Sequence, residues 1–119
     1  MAAEIISVND GLMTMRVSGR LTQPELAELQ KRSSEIISRA GKVRILVLTD
    51  NFEGWEKGGQ WDDFSFQEAN DAHIERMAIV GEERWRDLAL LFTSKDLREF
   101  PLEYFPADQL TAARVWLGS

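Results

Sequence analysis

The chain has 119 residues, 44% of them hydrophobic and 29% charged, with a formal net charge of −6 and no cysteine. That length suits one domain, spanning residues 1–119, with enough apolar side chains for a real core without metals or disulfides. Disulfide frameworks, thiol nucleophiles and cysteine-ligated zinc are excluded.

The acidic balance repels phosphate backbones, and Arg76, Arg84, Arg86, Lys95 and Arg98 are interspersed with Glu and Asp rather than gathered into a patch. Nucleic acid and anionic lipid are therefore not expected as partners. The first residues, Met-Ala-Ala-Glu-Ile-Ile-Ser, lack a basic stretch followed by an apolar run, and no apolar run reaches the ~20 residues that span a bilayer. A cytoplasmic location without an integral membrane segment is the expectation.

Along the chain, Glu4 to Val8 and Leu12 to Val17 are β-rich runs joined by Asn9-Asp10-Gly11. Asp-Gly between two such runs predicts a hairpin, because the tight turn needs positive φ. Gly19 breaks the pattern. Thr22-Gln-Pro-Glu25 then has the form of a capping box, and Leu26, Leu29, Ile36, Ile37 and Ala40 follow at helical spacing up to Gly41.

Val43 to Leu48 is a nearly continuous aliphatic run, the pattern of a strand covered on both faces and paired in parallel. Asp50 to Trp61 has no periodicity and holds three of the eight glycines and two of the four tryptophans; it reads as a loop. Asp62 or Asp63 is placed to cap a second helix running to about Ala72. A strand follows at Met77 to Val80, ended by Gly81, and a helix begins at Glu82-Glu83 with Trp85, Leu88, Ala89 and Phe92 as its inward stripe. Leu102 to Phe105 is a last strand. Pro106-Ala-Asp108 opens a last helix whose Leu110, Ala113, Val115, Trp116 and Leu117 supply apolar surface before Gly118. The predicted order is β-β-α-β-α-β-α-β-α, a mixed α/β fold with one sheet covered by helices.

Two stretches carry a family resemblance: Ile74 to Trp85 (Ile-Glu-Arg-Met-Ala-Ile-Val-Gly-Glu-Glu-Arg-Trp) and Glu103 to Leu117. Phe52-Glu-Gly-Trp55, with Trp61 after it, is a third. With the hairpin-first order, these resemble the SpoIIAA-like family of small bacterial proteins, of STAS or STAS/SEC-fourteen-like type. The resemblance implies a SpoIIAA-like mixed sheet and a regulatory role. STAS antagonists of the phospho-switch type carry a serine where the third strand meets the second helix. Here that junction reads Thr49-Asp50-Asn51-Phe52-Glu53-Gly54, and Ser65 falls within the predicted helix, so no phosphorylation site is carried over.

The candidate binding residues are Phe52, Trp55, Trp61 and Phe64. Aromatic rings on a glycine-bearing segment suit a protein anchor or the wall of a pocket, whereas the plainer alternative is that they cover a helix–sheet edge. Gly54 to Gly59 lacks the Lys-Ser/Thr of a phosphate loop, and no nucleophile elbow is present. His73, the sole histidine, stands eleven residues from Asp62, roughly 16 Å along a straight helix, which is too far to share a metal. Asp62-Asp63 and Glu82-Glu83 sit at predicted helix starts, where carboxylates are stabilising. The expectation is a non-enzymatic regulatory or interaction domain, without cofactor or metal, whose partner is another protein or a second copy. The alternative is a carrier or sensor of a small apolar, lipid-like ligand.

Overall fold

A computed structural model describes residues 3–55, 70–92 and 100–118. Five strands form one sheet in the order β1-β2-β3-β4-β5: β1 Ala3–Asn9, β2 Leu12–Leu21, β3 Val43–Trp55, β4 Ile74–Gly81 and β5 Leu102–Pro106. The β1–β2 pair is the antiparallel hairpin anticipated at Asp10-Gly11, both of which have positive φ. The pairs β2–β3, β3–β4 and β4–β5 are parallel. Among the described residues the helices are α1 Gln23–Ala40, α2 Arg86–Phe92 and α3 Leu110–Leu117, with short 3₁₀ turns at Asp71–His73 and Glu83–Trp85. None of these helices is long and apolar enough to cross a membrane.

The local chemistry of α1 is the one its sequence implies. The Thr22 hydroxyl accepts from the Glu25 backbone N–H and donates to Glu25 Oε1 at 2.7 Å, with Pro24 in the first turn. Gly41 closes the helix at φ 87°, a conformation that a side chain would strain, and its N–H donates to Ile37 O. His73 Nδ1–H reaches the Gly41 carbonyl at 2.9 Å, so the histidine tethers the chain entering β4 to the end of α1.

Strand alternation sorts the side chains into two unequal faces. One face carries Met13, Met15, Val17, Val43, Ile45, Met77, Ile79, Leu102 and Tyr104, closed by Leu29 and Ile37 of α1 and Ala89 of α2. The opposite face carries Leu46, Ala78 and Val80 beneath Ala113 and Leu117 of α3.

Two arginines on this second face, Arg44 and Arg76, donate to the carbonyls of Leu117 and Trp116 at 3.0 and 2.8 Å. Arg76 also lies over the Trp116 ring, 5.3 Å from its centroid. Cationic donors thus meet the negative end of α3, beside the left-handed Gly118 that terminates it.

Several expectations need correction. The segment after Leu48 is not a loop from Asp50: β3 runs on to Trp55, paired with the extension of β2 through Leu21. Gly19 lies inside β2, at a register shift, with φ 62°. Leu88 is 48% exposed, so it does not belong to the inward stripe of its helix. The Glu82-Glu83 start is a 3₁₀ turn, with the α-helix beginning at Arg86. The predicted helix start at Asp62-Asp63 and the Phe92 side chain lie outside the described residues.

Candidate functional site

The far end of β3 is where regular pairing gives way. Ser18 pairs with Asp50, Gly19 with Phe52 and Arg20 with Gly54, so Asn51 and Glu53 are extra residues bulged out of the ladder. Asn51 takes a left-handed φ of 54°, which asparagine tolerates better than most residues. Each bulge shifts the period-two alternation by one. As a result Phe52 turns onto the core face already occupied by Ile45 and Val47, and is 5% exposed.

Phe52, Trp55 and Trp85 form a three-ring cluster there. Their centroids are 5.0 Å (Phe52–Trp55), 5.1 Å (Phe52–Trp85) and 6.1 Å (Trp55–Trp85) apart, with interplanar angles of 85°, 71° and 84°. Edge-to-face contacts of this kind add about 0.5–1.5 kcal/mol per pair beyond area burial. Phe52 is core, while Trp55 and Trp85 are half-buried. The Trp85 ring lies across Gly54: a Cβ there would stand 3.3 Å from its Cη2, on a backbone with φ 104°. The Trp85 indole N–H is buried without a hydrogen-bond acceptor among the described residues.

A charged rim borders the rings. Arg84 stacks 5.0 Å from the Trp85 centroid and pairs with Glu82 at 3.3 Å, and Arg86 pairs with Glu83 at 3.3 Å. All four side chains are more than two-fifths exposed, so these pairs add little stability.

The turn bearing this rim is held by the ends of three parallel strands. Thr49 Oγ1 donates to Val80 O at 2.9 Å, and Tyr104 Oη donates to Glu82 O at 2.7 Å. Gly81 lies between them, and a Cβ on it would overlap Thr49 Oγ1 and stand 2.8 Å from Tyr104 Oη. Glycine is required here by close approach. Burial raises the Tyr104 pKa above its ordinary value, and Glu83 and Glu82 push it the same way. A hydrogen bond with Thr49 and the charge of Arg86 oppose the rise.

Of the four predicted site residues, the structure brings Phe52 and Trp55 together; Trp61 and Phe64 lie outside the described residues. Sequence reasoning assigned Trp85 simply to the core and missed that it completes the cluster. The available signal was Gly54, whose lack of a side chain makes room for a ring. His73 is committed to Gly41 O, and Asp62 and Asp63 lie outside the described residues. Among the described residues, no three His, Asp or Glu side chains converge as metal ligands.

A hairpin whose second strand is the first of four parallel strands, with an aromatic cluster at their carboxyl ends, defines a small α/β domain of the hairpin-first, mixed-sheet class. A family model described as SpoIIAA-like matches residues 12–118, and the chain belongs to that family. The chain is similar in fold to an uncharacterized protein from Shewanella loihica PV-4 with a SpoIIAA-like fold. That crystal structure matches at a TM-score of 0.72 and 17% identity, over 98% of this chain and 92% of the other. No curated protein matches the chain.

Proposed function

We propose that this SpoIIAA-like domain is a non-enzymatic regulatory module of the cytoplasm that works by binding another protein. Its docking face is the carboxyl end of β3 together with the 82–86 turn. The observation supporting this reading is the Phe52–Trp55–Trp85 cluster with its exposed rim of Glu82, Glu83, Arg84 and Arg86. Aromatic anchors ringed by charged groups are the usual anatomy of a protein-recognition patch. The bulged end of β3 and the close packing at Gly81 fix that patch on strands rather than on a free loop, which lowers the ordering cost of binding.

Trp55 packs against the main core, so its truncation would confound binding with stability. The rim gives a cleaner probe. Wild-type protein and a Glu83→Lys/Arg84→Glu double variant are immobilised, exposed to cytoplasmic extract, and the retained proteins identified by mass spectrometry. The expected outcome is a specific protein, or a second copy of the chain, held by wild type and lost from a variant with an unchanged unfolding midpoint. Equal retention by both removes the site.

A further inference from the structure

Among the described residues, the sheet face that carries α3 is only half covered. Helix α3 lies over β3, β4 and β5, and beside it an open groove of about 630 Å³ runs across the hairpin. That volume is in the range of small-molecule sites, about 300–1,000 Å³. The groove has an apolar strip from Ile6, Leu12 and Leu48, with Thr14 between strands. Ile6 is 43% exposed, placed there by a bulge between Ile5 and Ser7.

Around this strip stand Arg16, Arg44 and Arg114, against a single lining carboxylate among the described residues, that of Asp10. Three arginines lining one groove run against the charge of a chain at −6. Arg44 is preorganised: Nη1 donates to Leu117 O at 3.0 Å and Nη2 to Asp10 O at 3.1 Å. Carbonyl oxygens satisfy those donors without neutralising the guanidinium, and Arg44 makes no ion pair among the described residues. Arg16 meets Glu4 only at 3.8 Å, with both side chains about half exposed, a contact an incoming anion can displace.

We infer that this groove binds a small organic anion with an apolar body. Its carboxylate or phosphate oxygens sit among Arg16, Arg44 and Arg114, and its hydrocarbon part lies on Ile6, Leu12 and Leu48. Guanidinium groups favour both oxyanions by charge-assisted hydrogen bonds. The site lies on the opposite side of the sheet from the aromatic cluster, so it stands or falls independently of the protein-docking reading.

The test is isothermal titration of the whole chain with octanoate, octyl phosphate, 1-octanol and inorganic phosphate, each below its aggregation limit. Octanoate, octyl phosphate or both are expected to bind, and the stronger of the two identifies the preferred headgroup. 1-Octanol and inorganic phosphate are expected to bind at least about tenfold more weakly, since each lacks one half of the recognition. An Arg16→Gln/Arg114→Gln double variant should lose about tenfold or more in affinity with an unchanged unfolding midpoint. Arg32→Gln, at an exposed position of α1, should bind like wild type. No heat from either anionic amphiphile, equal binding of 1-octanol or of inorganic phosphate, or a folded double variant that binds like wild type overturns the proposal.

Discussion

The two faces of the sheet are built to different rules. On the first, Met13, Met15, Val17, Ile45 and Ile79 meet α1 and α2, and the bulges in β3 turn even Phe52 inward. On the second, a small apolar cluster lies under α3, and the hairpin beyond it presents Ile6, Thr14 and Arg16 to a groove. Four parallel strands ordinarily need cover on both faces. Among the described residues the antiparallel hairpin takes the uncovered position, the arrangement that tolerates one wet face. Among the described residues the larger apolar cluster lies on one side, and Arg44 and Arg76 lie on the other.

Three probes, ahead of a matched pair of truncations, can break or sharpen that contrast. Of these three the largest effect is expected at Gly81, where three strand ends meet. Gly81→Ala forces a methyl group onto Thr49 and Tyr104 and should cost about 3 kcal/mol in urea denaturation. A loss below about 1 kcal/mol would mean the junction is looser than its geometry.

A smaller effect is expected from Arg44→Met, which removes donors from both Leu117 O and Asp10 O. It should lower stability by about 1–2 kcal/mol in the same assay; no loss would mean that Arg76 and the apolar contacts suffice to anchor α3.

Smaller still is the alkaline behaviour of Tyr104, the single tyrosine of the chain. Its folded-state pKa is raised above the ordinary 10.0, so the unfolded chain releases the proton first. The contribution is intact below about pH 10 and declines as pH rises from there through the raised folded value. Tyrosinate absorbance should show native ionisation shifted upward, and Tyr104→Phe should flatten the alkaline loss of stability. Ionisation at or below the ordinary value would contradict the packing around Gly81.

Elements whose side-chain pattern repeats regularly were legible in the sequence. Asp10-Gly11 announced the hairpin, Thr22 through Gly41 carried both ends of α1, and Val43 to Leu48 declared a buried parallel strand. The end of β3 was not legible, for a physical reason. Two bulges break the period of two, and Asn51 and Gly54 adopt the conformations that elsewhere make turns, so strand composition there resembles a loop.

The candidate site was half legible: aromatic content marked Phe52 and Trp55, but the third ring arrives from the turn after β4, a contact no local pattern encodes. Leu88 misled because a helical stripe is read from spacing, while exposure depends on which neighbour lies opposite. The open groove left one trace, the alternation of Leu12, Thr14 and Arg16 with Met13, Met15 and Val17.

The most direct test of a sealed face opposed to an open one is a matched pair of isoleucine truncations. Ile45, 1% exposed on the helix-covered face, and Ile6, 43% exposed in the groove, are each changed to alanine and unfolded in urea. Ile45→Ala should lose about 2–5 kcal/mol and Ile6→Ala no more than about 0.5 kcal/mol. Equal losses would contradict the division of the sheet's described residues into a sealed face and an open one.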